Sequence, residues 1–126
     1  MSKEKNDAIL LSEIVIEAML SKKAIDVIRM DLREIHNKVC DCFIICHGNS
    51  TVHIASIRDA IIEEVRKAVK EKPWHVEGME KSEWLLLDYS NVVVHIFLEG
   101  TRRFYNLEDL WADAHFEKFS DDLAKK

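Results

Sequence analysis

Three cysteines within seven residues, Cys40, Cys42 and Cys46, form the first grouping in this chain that could do chemistry. Thiolates so close in sequence could clip a zinc ion, which needs every sulfur about 2.3 Å from one point. The run that holds them, DCFIICH (Asp41–His47), is short and unbroken in apolar character, the pattern of a strand buried on both faces. A strand advances about 3.3 Å per residue, so Cys42 and Cys46 would stand roughly 13 Å apart. On a strand these thiols cannot share an ion, and they read as small buried hydrophobes.

The six histidines (His36, His47, His53, His75, His95 and His115) show neither an H-E-x-x-H nor a meaningful H-x3–5-H spacing. His47 and His53 flank Gly48-Asn49-Ser50, which fits either a polar pocket at a helix start or a plain strand-end and helix-surface pair. His95, inside VVVHIF, reads as a core histidine whose hydrogen bonds are satisfied. Gly48-Asn49-Ser50-Thr51 opening a helix could cradle a phosphate with free backbone amides. A single glycine without G-K-[ST] is not a P-loop, however. Metal-dependent phosphoryl or nucleotidyl transfer also needs clustered carboxylates. Asp88 is the only acid inside the last two strand-like runs, with no Asp-x-Asp or Asp-x-Glu on either.

Six of the ten aromatics fall within Trp84–Trp111, among them Trp84, Tyr89, Phe104, Tyr105 and Trp111. Leu107, Leu110 and Trp111 fit a core-facing stripe. Trp84, Tyr89 and Tyr105 sit at element ends, where one side of a large ring can stay exposed. Tryptophan and tyrosine are enriched at interface hot spots, but spacing alone fits an interface and plain core packing equally well.

The elements that must position these residues follow from periodicity. Asn6 or Asp7 is placed to cap a first helix running to about Lys23, with Ile9, Leu11, Ile14, Val15, Ala18 and Met19 as its stripe. Ala24–Leu32 alternates like a strand, and Glu34–Val39 is a polar turn. After Asp41–His47, the repeat Ile54, Ile57, Ile61, Val65, Ala68 marks a long helix ended by Lys72-Pro73. Trp74–Ser82 reads as a loop. Trp84–Tyr89 and Val92–Leu98 make a hairpin through Ser90-Asn91, with Asn91 suited to positive φ. Asn106 is placed to cap a last helix, with Glu108 and Asp109 near its positive end. The order α-β-β-α-β-β-α implies an α/β chain with a mixed sheet of about four to five strands flanked by helices. The expected organisation is one domain over 1–126, with its core at about 8–114 and a charged, frayed tail over 115–126.

Hydrophobic residues make up 48% of the chain and charged residues 33%, which is ordinary for a globular protein able to bury a core without disulfides or metal. The formal net charge of −5 weighs against binding driven by phosphate contacts, and so against DNA. It suits steering toward a basic protein. Neither a secretory leader nor a membrane span is discernible, and the odd cysteine count fits a reducing compartment. The expectation is a cytoplasmic protein that needs no cofactor.

CDCFIICHGNST (Cys40–Thr51), VEG (Val76–Gly78), WLLLDYSNVVVHIF (Trp84–Phe97) and RRFYNLEDLW (Arg102–Trp111) together carry a resemblance to the ribosomal silencing factor family, the Iojap-like proteins. It covers about Ala8 to Ala114. The resemblance implies a nucleotidyltransferase-like α/β fold without the catalytic carboxylates, and no enzymatic activity. It also implies a translational repressor that binds the large ribosomal subunit through its protein number fourteen. Joining of the small subunit is then blocked sterically, damping translation when nutrients are short, and the free protein is a homodimer. By position, the implied contact residues are Trp84, Tyr89 and Tyr105, followed by Asp88 and Asp109. This chain departs from common family patterns at Cys42, His47, Ser90-Asn91 and Asp109, the last standing where a basic residue is frequent. The other readings are a nucleotidyltransferase-like enzyme using the Gly48–Thr51 turn and a dimeric interaction module with a non-ribosomal partner.

Overall fold

Strand β2 (Cys42–Gly48) is buried at all seven positions, and the rest of the architecture is arranged around it. The computed structural model describes residues 2–35, 40–78 and 83–120. The turn foreseen over 34–39 therefore lies partly outside the described residues, as do the end of the 74–82 segment and residues 121–126. Helix α1 (Ser2–Ser21) precedes β1 (Ile25–Asp31), and α2 (Thr51–Val69) follows β2. Then come β3 (His75–Glu77), β4 (Trp84–Asp88), β5 (Val92–Leu98), α3 (Glu99–Tyr105), α4 (Leu107–Leu110) and β6 (His115–Phe119). The six strands form one mixed sheet in the order β3-β4-β5-β2-β1-β6. The central pair β2/β5 is parallel and every other pair is antiparallel.

Strand periodicity divides the sheet into two faces. One carries Cys42, Ile44, Cys46, Leu85, Leu87, Tyr89, Val92, Val94 and Ile96, which pack under α1 and α2. Helix α2 presents Ile54, Ile57, Ile61 and Val65 to it, four of the five positions of the predicted stripe, while the fifth, Ala68, is exposed near the helix end. Ser50 caps α2 by accepting the His53 N–H at 3.0 Å. Lys70, in the left-handed region at φ 62, ends the helix with its N–H on the Arg66 carbonyl, three residues before Pro73. The other face carries Ile28, Met30, Phe43, Ile45 and Phe97, together with Leu107 and Ala114 from the last segment. Among the described residues no helix spans this second face, and Trp84, Leu86, Asp88 and Val93 are only half-buried there.

Several boundaries differ from the sequence reading. Helix α1 already runs through Asn6 and Asp7, so neither stands ahead of it as a cap. His75–Glu77, expected in a loop, pairs with β4 through His75↔Asp88 and Glu77↔Leu86. His115–Phe119, expected in a frayed tail, is an edge strand paired with β1 from Val27↔Phe119 to Asp31↔His115. The sheet thus gains both edges relative to the expected four to five strands. In the β4–β5 turn it is Ser90, not Asn91, that takes positive φ (78°). The Ser90 N–H is held by Asp88 Oδ1 at 2.7 Å, and the Tyr89 N–H meets the Val92 carbonyl at 2.9 Å. Asn106 stands at the N-cap position of α4, as expected, but makes no side-chain capping bond there, and it also ends α3. At φ 49 it donates its backbone N–H to the Arg102 carbonyl and separates α3 from α4. Among the described residues, no helix is long and apolar enough to cross a membrane.

Candidate partner-binding face

The uncovered second face collects aromatic side chains from four elements. Trp84 stacks on Phe97 with ring centroids 4.9 Å apart, and Tyr105 of α3 lies over it at 4.6 Å. The Trp84 indole N–H donates to His95 Nδ1 at 3.1 Å. Phe43 meets His95 edge-to-face at 4.7 Å, and Trp111 meets Phe43 the same way at 5.9 Å. Phe104 packs perpendicular to Tyr105 at 5.0 Å. The cluster is continuous from β4 across β5 and β2 to the segment after α4, and its outer rim is open. Phe104 is 80% exposed, Leu110 71% and Tyr105 49%.

Local sequence explains this placement. Helix α3 starts directly from the end of β5, with Glu99 in its first turn and Arg102 and Arg103 in its last, the charge order that suits a helix dipole. Seven residues give it two turns. The left-handed Asn106 then turns the chain, so Leu107 points into the sheet and is buried while Leu110 points outward. The expected stripe Leu107–Leu110–Trp111 therefore holds for Leu107 and, half-buried against Phe43, for Trp111. It fails for Leu110, because four residues are too few for a second inward position.

The sequence-predicted contact residues do not all converge. Trp84 and Tyr105 touch, and Asp88 lies on the same face of β4, two side-chain positions from Trp84. Tyr89 does not join them. It is 2% exposed and packs in the opposite core beneath the helices, because five residues of strand separate it from Trp84 and an odd offset reverses the face. Among the described residues its hydroxyl has no hydrogen-bond partner, and burial pushes its pKa up to about 12. Asp109 is exposed on α4, where it accepts a hydrogen bond from the Asn106 side-chain amide at 2.8 Å.

The other sequence candidates fall outside this face or inside the core. Cys40, Cys42 and Cys46 are buried free thiols, with burial raising their pKa to about 12, 11 and 12. Among the described residues, no three metal-ligating side chains converge. At the start of α2 the turn amides are engaged within the turn: the Asn49 N–H donates to His53 Nδ1 at 3.1 Å and the His53 N–H to Ser50 Oγ. His95 is the core histidine expected, but only half satisfied, since among the described residues its Nε2 has no partner.

Sequence reasoning missed Arg102. Its side chain is buried beside a cleft of about 830 Å³ between β1, β6 and α3, which His47 also lines. It donates to the Asp26 carbonyl at 2.7 Å, to His47 Nδ1 at 3.0 Å and to Glu108 at 3.0 and 3.3 Å. Desolvation and the adjacent guanidinium both lower the His47 pKa, keeping the ring neutral. The Asp26 carbonyl is free for Arg102 because the β1/β2 register shifts between Ile25 and Ile28, with Asp26 at φ 51. No single-sequence signal marks this arginine, because its partners lie 76 and 55 residues away.

Comparison with known proteins agrees with this architecture. A sequence family described as ribosomal silencing factor during starvation (RsfS) matches residues 5–126. The ribosomal silencing factor RsfS of Halalkalibacterium halodurans is 37% identical over 82% of this chain and 87% of its own length. That of Bacillus subtilis is 38% identical over 81% and 85%. A crystal structure of a Chromobacterium violaceum protein superposes with a TM-score of 0.75 at 28% identity, covering 81% of this chain and 83% of that one. A Bacillus halodurans structure gives 0.70 at 34% identity, covering 80% and 92%.

Proposed function

Because the chain belongs to the ribosomal silencing factor family, we propose that it represses translation by binding the large ribosomal subunit and blocking the small one. Protein number fourteen of the large subunit is the docking partner, and the open aromatic face is the surface that meets it. The observation that carries this reading is the Trp84–Tyr105 pair, whose rings are in contact while Tyr105 and neighbouring Phe104 remain exposed beside it. Large, rigid aromatic groups bury much area at small entropic cost, which is why they dominate interface energetics. The net charge of −5 favours approach to a basic ribosomal protein. A mouse relative, 31% identical over 68% of this chain, is named for mitochondrial assembly of the large ribosomal subunit, which supports a large-subunit partner. The lone Asp88 and the engaged turn amides at Asn49 and His53 favour a docking protein over an enzyme. In the absence of ribosomes, the proposed state is a cytoplasmic homodimer.

Co-sedimentation with isolated large subunits tests the proposal. Tyr105→Ala and Trp84→Ala should each weaken binding by about 2 kcal/mol, roughly 30-fold, while a circular dichroism spectrum reports that the variants remain folded. Added wild-type protein should also prevent joining of purified subunits. Failure of the wild type to sediment with large subunits would refute the reading.

A further inference from the structure

At the centre of the proposed docking face lies one polar side chain with an unused donor. His95 is 4% exposed on β5, opposite Leu86 of β4 and Ile45 of β2. Its Nδ1 accepts the Trp84 indole N–H, and an indole nitrogen can only donate. Nδ1 therefore holds the lone pair, and the neutral ring carries its proton on Nε2. Burial keeps it neutral, lowering its pKa to about 4. Nε2 is buried and, among the described residues, has no hydrogen-bond partner. Unpaired buried polar groups are rare enough in native proteins to call for a physical reason. The imidazole also lines a depression of about 470 Å³ with Phe43, Leu86, Asp88, Ser90 and Val93, on the face that carries Trp84.

We propose that His95 Nε2–H is held as a donor for the docked partner, which fills this depression with a neutral acceptor, a main-chain or side-chain amide carbonyl. The inference rests on the docking reading and adds the chemistry of one contact. The tautomer makes the site selective. A lysine, arginine or amide N–H presented to Nε2 meets another donor, and moving the proton to Nδ1 would break the bond that orients Trp84. A carboxylate would fit the donor but would enter beside the Asp88 carboxylate, which leaves the uncharged carbonyl. Leu86 and Val93 beside the imidazole are half-buried, and admitting the acceptor requires side-chain movement there, of the kind common at interfaces. In the free protein the edge-to-face Phe43 ring gives the imidazole a weak contact, poorer than a carbonyl.

Two substitutions separate the two ring nitrogens. His95→Asn places an amide oxygen near the Nδ1 position, where it can still accept from Trp84, and leaves no donor at Nε2. His95→Gln reaches the Nε2 position with an amide N–H and leaves Trp84 without its acceptor. With isolated large subunits as the probe, co-sedimentation should show His95→Asn weakened about tenfold and His95→Gln within about threefold of wild type. Wild-type affinity in His95→Asn would overturn the inference and leave the docking reading intact. Equal losses in both variants, tracking their loss of urea stability, would also overturn it by reducing His95 to a support for the fold. No sedimentation of the wild type would remove the docking reading itself. Should the Asn variant fail to fold, the ¹⁵N imidazole signals of the unmodified free protein decide: protonated Nε2 with bare Nδ1 is expected, and the opposite tautomer overturns the inference.

Discussion

Tyr89→Phe separates the helix-covered face of the sheet from the open one. The tyrosine ring is 2% exposed in the core under α1 and α2, and its buried hydroxyl has no hydrogen-bond partner among the described residues. A buried hydroxyl without a partner carries a desolvation penalty of about 1–3 kcal/mol. Phenylalanine keeps the ring and removes the penalty, at the small cost of the volume the oxygen filled. The expected result is a protein more stable by about 1 kcal/mol. For a 126-residue chain with an unfolding entropy near 2 cal/mol/K per residue, that raises Tm by about 4 °C. Urea titration and calorimetry measure it, and co-sedimentation with large subunits should be unchanged because the side chain faces away from Trp84. Destabilisation by 1 kcal/mol or more would refute the reasoning, since it would mean that the hydroxyl holds a buried water or another partner. Weakened ribosome binding at unchanged stability would refute the assignment of the docking face.

Three further perturbations test the rest of the structure. Arg102→Met strands the Glu108 carboxylate, the Asp26 carbonyl and His47 Nδ1, and should cost about 2–4 kcal/mol in urea unfolding; Arg103→Met, on an exposed pair with Glu99, should cost no more than about 0.5 kcal/mol. Ser90→Gly relieves a positive φ and should stabilise by up to about 1 kcal/mol in a thermal melt, whereas Asn91→Gly should destabilise by about 0.5 kcal/mol. His95 has its folded pKa lowered to about 4 from an ordinary 6.5, so the unfolded chain takes up the proton first and stability is lost as pH falls from about 6.5 to about 4. That gap is worth roughly 3 kcal/mol, and the urea midpoint followed across this range should fall more steeply for the wild type than for His95→Asn.

The elements whose energy comes from their own side chains are legible in the sequence. β2 announces itself as an unbroken apolar run, and α2 by its isoleucine spacing. The two edge strands are not legible. HVE and HFEKF are short and mostly polar because one side of each faces solvent, and what makes them strands is the hydrogen-bonding edge that β4 and β1 offer. α3 hides for a different reason. Its residues EGTRRFY include a glycine and no apolar stripe, and it forms because β5 delivers the chain at the sheet's end with the charge order a short helix tolerates. Arg102 belongs to the same class, since its role is defined by a carbonyl and a ring that only the folded chain brings near.

Tyr89 is the instructive case because its place on the face opposite Trp84 was legible in the sequence. Trp84 and Tyr89 both end an apolar run, and both are residue types that interfaces favour. On a strand, however, side chains five apart point to opposite faces, so the two could never serve one flat surface. The same parity sorts the rest of β4 and β5. Trp84, Leu86, Asp88, Val93, His95 and Phe97 share the face left without a helix, while Leu85, Leu87, Tyr89, Val92, Val94 and Ile96 share the one that α1 and α2 cover. Alternation alone does not say which face is covered, because both carry large apolar groups. The difference lies in helix length. Two helices of twenty and nineteen residues span one side, whereas the other receives only helices of seven and four residues, too short to reach across six strands. An aromatic layer that the described elements leave partly open is the physical reason to look there for a partner.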